Sequence, residues 1–268
     1  MGEAPDARRL HRYCGCPAGH PLRGRALVLN TARNLVVLGR FNPAIFFANG
    51  EVGFTHDFSK TDRLKQLSDG TTAVGTDADP VGWSQSLDPT QRIAIQATAD
   101  SRPAWKNPNF LRFDGVADNL LTTHVPAAAG SLAVKARVTS ASKGLICSRG
   151  TASTAAELLV NSSGFIGGSV GTQTSTTING GVDVRGLLGV YILTWDAVNS
   201  LLYRNGVLVN TTPRAGTVNT TIPFRIGARN DNGTAALFAD ADIYHALAIN
   251  RVLTPAEVTK LTTGWGLT

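Results

Sequence analysis

The sequence predicts an all-β protein: a two-sheet antiparallel sandwich with one short C-terminal helix and an irregular N-terminal arm. Three observations predict it. From Phe110 onward, strand-length apolar runs alternate with clusters of Gly, Asn, Ser and Thr, the pattern of short strands joined by turns. Only 16% of the 268 residues are charged against 43% hydrophobic, and 28 are glycine, which argues against coiled coils and helical bundles. The single helix signature lies near the C-terminus, so the remaining strands must bury their alternate residues by packing sheet on sheet. At ~100–200 residues per domain, the length allows one large or two modest domains.

Residues 1–40 form a basic arm, with seven arginines against Glu3 and Asp6, a net +5 of the total +6; residues 41–268 carry only +1. Such an arm attracts an acidic partner through a salt-screened interaction, whether a protein surface, an anionic polymer or nucleic acid. Arg8, Arg9, Arg12, Arg23 and Arg25 are its candidate partner-binding residues. The body has no electrostatic footprint for DNA or RNA, so no sequence-specific nucleic-acid binding is expected. His11, Cys14, Cys16 and His20 lie close together, but Cys-x-Cys-x3-His is not a common zinc-finger spacing. Three cysteines, an odd count, imply no disulfide framework. The apolar runs 27–29 and 35–38 are interrupted by Asn30, Arg33 and Asn34 and fall short of the ~18 residues that span a bilayer. Neither Sec-type export nor membrane insertion is expected.

Residues 41–109 are rich in turn signals, including Asn49-Gly50, Asp69-Gly70, Asp79-Pro80 and Asp88-Pro89, and read as an irregular lead-in subdomain. Residues 110–268 hold the candidate strands 132–138, 144–147, 157–160, 190–195, 201–203, 207–210, 224–226 and 243–249. Asn205-Gly206 between two apolar runs predicts a hairpin, because a type I′ turn needs two residues at positive φ. Thr254-Pro255-Ala256-Glu257 predicts the helix start: a hydroxyl N-cap, Pro at the first helical position and a Glu that closes a capping box.

Six motifs in order then carry a resemblance: Phe113-Asp114-Gly115-Val116-Ala117-Asp118-Asn119-Leu120, Tyr191-Ile192-Leu193-Thr194-Trp195-Asp196, Leu202-Tyr203-Arg204-Asn205-Gly206, Phe224-Arg225-Ile226-Gly227-Ala228-Arg229, Ala239-Asp240-Ala241-Asp242-Ile243-Tyr244, and residues 250–258. Together they resemble the laminin-G-like or concanavalin A-like jelly roll over about 150 residues. Within the lead-in, residues 44–50, 53–57, 79–82 and 96–103 resemble the segment that precedes such jelly rolls in tailed-bacteriophage virion proteins, although 87–95 departs from it. This second resemblance implies a non-enzymatic virion structural protein, assembled in the host cytoplasm. A capsid decoration, head fibre or short tail fibre is implied, displaying the jelly roll and anchored to other virion proteins by the arm. A homo-oligomer follows, with a trimer the expected symmetry, and a host-surface glycan is the expected ligand. The alternatives are a lectin-like module outside a virion and a glycan-degrading enzyme.

Retaining glycoside hydrolysis needs two carboxyl groups ~5–5.5 Å apart. From Phe110 onward the chain has only Glu157 and Glu257, the latter used by the capping box, and it lacks the laminarinase-type Glu-x-Asp-x-x-Glu. Asp240 and Asp242 are the one close acidic pair in a candidate strand, where i and i+2 share a face. Resemblance to Ca²⁺-holding jelly rolls points to Asp114, Asp118 and Asp242 as candidate ligands of a structural Ca²⁺, a hard cation that takes 6–8 oxygens; turn and strand-end roles compete with that reading. Candidate ligand-binding residues are Tyr203, Arg204, Asn230, Asp231, Asn232 and Tyr244, with Trp105 beside them, since 229–233 reads as a polar loop. Trp195 and Phe224 read as core. His56, His124 and His245 show no Ser or Cys partner in the sequence, so no catalytic triad is expected.

Overall fold

The computed structural model describes residues 41–151 and 154–267, which lie within one unit, Gly39–Thr268. The five candidate arm arginines and the Cys14–Cys16 cluster lie outside the described residues.

The lead-in does not stand apart from the sandwich. Its strands β1 (Gly53–Asp57), β2 (Leu64–Lys65), β3 (Trp83–Gln85), β4 (Ile93–Ile95) and β5 (Ala104–Lys106) are shared between the two sheets. They precede β6 (Phe110–Asp114), β7 (Leu120–Thr122), β8 (Gly130–Val138), β9 (Lys143–Arg149), β10 (Ala155–Val160), β11 (Phe165–Gly171) and β12 (Ile178–Asp183). Next come β13 (Leu188–Trp195), β14 (Asn199–Arg204), β15 (Val207–Pro213), β16 (Arg225–Ile226), β17 (Arg229–Asp231), β18 (Thr234–Ala236) and β19 (Asp240–Ile249), closed by α1 (Pro255–Gly264). The smaller sheet runs β15-β14-β13-β8-β19-β6-β5, with β1 also on β19; the larger runs β12-β11-β10-β9-β16-β7-β4-β3-β2, with the β17–β18 hairpin attached to β9.

Alternation along the strands places the cores. Leu132, Val134, Ala136 and Val138 of β8 face between the sheets, against Ala156, Leu158, Val160, Ile166 and Val170 from the larger sheet. The other face of the smaller sheet is also apolar, with Ala133, Val190, Ile192, Tyr203, Leu247 and Ile249. Helix α1 lays Val258, Leu261 and Trp265 on that face, together with Phe46 and Phe47 of the 3-10 turn Pro43–Phe47. A strand covered on both sides reads as a near-continuous apolar run, which is why β13 stood out in the sequence. Trp195 and Phe224 are buried as expected.

Both local predictions hold. Asn205 and Gly206 have φ of 51° and 80°, and Arg204 pairs with Val207 across the two-residue turn. Thr254 accepts from the Glu257 N–H while Glu257 accepts from the Thr254 N–H, a complete capping box. The sequence reading missed β11, whose Phe-Ile-Gly-Gly-Ser-Val-Gly composition argues against a strand. A Cβ on Gly168 would lie 2.8 Å from a Leu193 methyl of the opposite sheet, so glycine there permits close sheet packing.

Candidate functional site

While one face of the smaller sheet is sealed by α1, the outward face of the larger sheet carries a cavity of about 280 Å³. Alternation builds its floor. Because Ala156, Leu158 and Val160 of β10 take the core, Ala155, Glu157 and Leu159 point outward. Register sets Cys147 of β9 and Ser169 of β11 beside Glu157, and Arg149 opposite Ala155. On the far side of β9, β17 runs parallel, with Asp231 opposite Arg149. Asn161 fixes the wall: its side chain donates to the Ser175 carbonyl (3.1 Å) and accepts from the Ser163 and Phe165 N–H groups.

Glu157 is 1% exposed and faces cations. The Arg229 Nε lies 3.8 Å from its Oε1, an ion-pair distance too long for a hydrogen bond, and the same guanidinium donates to Asp231 at 2.9 Å. Burial raises the Glu157 carboxyl above its ordinary range, opposed by Arg149, Arg229 and a hydrogen bond with Ser169. Glu157 Oε1, Arg149 Nε and Arg229 Nε are all buried without a hydrogen-bond partner. Three buried polar atoms of the cavity lining thus lack a hydrogen bond, and two of them, Glu157 Oε1 and Arg229 Nε, face each other as an ion pair. No aromatic side chain lines the cavity among the described residues; its lining is aliphatic, hydroxyl, amide and charged side chains.

The six predicted ligand-binding residues do not converge. Tyr203 is 5% exposed in the apolar layer under α1, which corrects its assignment to a binding surface. Arg204 is beside it at the hairpin end, and Tyr244 lies on the outward face of the smaller sheet, 5.1 Å from the Phe110 ring with Lys135 Nζ 5.4 Å above it. Trp105 is core, donating to the Phe58 carbonyl. The polar loop 229–233 is instead the β17–β18 hairpin at the groove. There Asn230 is a buried staple, donating to the Pro223 carbonyl and accepting from the Gly233 N–H; Asp231 holds Arg229; and exposed Asn232, at φ 49°, donates its N–H to the Arg149 carbonyl.

The candidate calcium residues have protein partners of their own. Asp242 is tied to Arg112. Asp114 Oδ1 accepts from three backbone N–H groups, of Val116, Ala117 and Asp118, while Asp118 Oδ2 accepts from the Asp114 N–H, so the pair is a closed turn. Burial, then the neighbouring Asp114 charge, pushes Asp118 up to about 6. Among the described residues no group of three His, Cys, Asp or Glu side chains converges to hold a metal. His56 does have a serine partner, contrary to the sequence expectation: its Nδ1 lies 2.8 Å from Ser84 Oγ. Both are buried in the interior, at 0% and 1% exposure, where no substrate reaches them.

Sequence reading named Glu157 only as one of two late glutamates and passed over Arg149 and Ser169. The available signal was a lone charge inside Ala-Ala-Glu-Leu-Leu-Val: a carboxylate in a core strand is seldom fully buried unless it has a specific role.

Two packed antiparallel sheets define a lectin-like jelly roll, with a groove on one outward face. The chain belongs to the concanavalin A-like lectin/glucanases superfamily, whose laminin-G-type family model matches residues 115–259. No curated protein matches the chain. Among solved structures it is similar to the Trypanosoma rangeli sialidase in complex with 2,3-difluorosialic acid, with a TM-score of 0.53 at 16% identity, covering 81% of this chain and 33% of that one. It is also similar to the CBM40 module of the Ruminococcus gnavus IT-sialidase, with a TM-score of 0.42 at 20% identity over 50% of this chain and 83% of that one. The chain spans about a third of the T. rangeli sialidase, and at this identity the likeness concerns the fold alone.

Proposed function

We propose that this protein is a non-enzymatic glycan-binding module, and that the groove over β9, β10, β11 and β17 is where it binds. The observation that carries the reading is the convergence on one cavity of the Glu157–Arg229 ion pair and Arg149, in which Glu157 Oε1, Arg149 Nε and Arg229 Nε are buried without a hydrogen-bond partner. A small number of fixed polar groups in a concave site is the usual way a protein orients a polar ligand. The non-enzymatic reading is supported by the missing acid motif and by Asp242, which Arg112 engages within the one acidic pair the sequence offered. The full chain on a glycan array is the test. Binding that Glu157→Ala abolishes, without loss of the folded state, is expected; binding to no glycan refutes the reading.

We further propose that the module is displayed on a tailed-phage particle as a capsid decoration, head fibre or short tail fibre. The +5 arm of residues 1–40 before a near-neutral sandwich, and the lead-in motifs, support this placement. Cryo-electron microscopy of purified particles, with copy number from quantitative mass spectrometry, is the measurement. Hundreds of copies on the shell identify a decoration protein and a few at the tail identify an adhesin, whereas absence from particles refutes the placement.

A further inference from the structure

Resting on the groove as a glycan site, we infer that its ligand is a sugar bearing a carboxylate, held by the guanidinium of Arg149 while a ligand hydroxyl donates to Glu157. The two arginines are not equivalent. Arg229 is already engaged, with Asp231 at 2.9 Å and Glu157 at 3.8 Å. Among the described residues Arg149 forms no ion pair at contact distance, although its charge acts on Glu157, and its Nε is buried with no hydrogen-bond partner. It stands opposite Ala155 across the strands, and its side chain lines the cavity. A planar guanidinium in such a position matches a carboxylate through two parallel hydrogen bonds.

The second orphan decides the rest of the ligand. Glu157 Oε1 needs a donor, and an anion alone offers none. A molecule that brings an anionic group to Arg149 and a hydroxyl to Glu157 is an acidic sugar; a neutral sugar leaves Arg149 unsatisfied, and inorganic phosphate leaves Glu157 facing a like charge. The absence of aromatic side chains on the groove wall, among the described residues, removes the stacking platform on which a neutral polysaccharide would depend.

The test uses the full chain against an array of neutral, uronic-acid, sialic-acid and sulfated glycans, followed by titration calorimetry of the strongest acidic ligand and its methyl ester. Carboxylated glycans are expected to bind. Esterification and Arg149→Gln are each expected to weaken binding tenfold or more, and Arg149→Lys, which keeps the charge but loses the fork, to weaken it less. Arg112→Gln, outside the groove, is expected to leave affinity unchanged, and thermal melts establish that each variant is folded. Binding to neutral glycans that survives Arg149→Gln, or binding to sulfated glycans alone, overturns the inference; if Glu157→Ala still abolishes that binding, the glycan reading stands. Binding to no glycan of any class overturns both.

Discussion

At Glu157 the stability of the fold and the proposed recognition oppose each other. Its folded pKa is raised above the ordinary value of 4.5, chiefly by burial, so the fold favours the protonated form. The sign follows: its stabilising contribution is complete below about pH 4.5 and is lost as pH rises through the folded value. Glu157→Gln is therefore expected to gain melting temperature relative to the native chain as pH rises from about 4.5 to neutral, a gap that narrows again on acidification. A pH series of thermal melts checks this, and a gap that widens on acidification contradicts it. The same substitution removes the negative charge that the proposed site presents to a ligand, a stability–function trade-off in one side chain. Cys147, beside it in register, takes no part in such chemistry: burial raises its thiol well above the usual range.

Among the elements, the C-terminal helix was the most legible. Its start was written in four residues, and the structure holds each in its role. Thr254→Ala is expected to cost about 1 kcal/mol in urea unfolding, because the Glu257 N–H loses its acceptor and α1 seals an apolar sheet face. The hairpin at Asn205-Gly206 was equally legible, since positive φ at two successive residues leaves few choices of side chain. Strands β2, β3 and β4 were not legible, because two or three residues are too few for alternation to register, and pairing with distant strands holds them. Strand β11 was hidden by glycines required by packing rather than by local preference. The groove was illegible for a related reason: Arg149, Glu157, Ser169 and Arg229 come from four strands, and only register brings them together.

Across the whole molecule, the lead-in and the jelly roll share one interior. His56 of β1 and His124, which follows β7, are buried there among Phe54, Phe58 and Phe224, and burial lowers each to about 4. Each is neutral in the fold and gains a proton more readily once unfolded, so stability is lost as pH falls from about 6.5 toward 4. At ~1.4 kcal/mol per pKa unit, the two sites contribute about 3 kcal/mol apiece to this acid lability. Chemical denaturation between pH 7 and 4 is expected to show a single transition with a steep loss of stability, flattened in His124→Gln. Two separate transitions would mean that the lead-in unfolds independently of the jelly roll.

The period of two in β9, β10 and β11 has an evolutionary consequence. Core-facing and groove-facing side chains occupy alternate positions on the same strands, so the residues that maintain the fold and those that meet a ligand are drawn from separate sets. Substitutions at positions 149, 155, 157 and 169 can therefore re-specify what the groove accepts while the interior is inherited unchanged. With the groove as the proposed glycan site, a lineage that must follow a changing surface sugar can do so by a handful of point mutations, without first acquiring the stability that a redesigned core would demand.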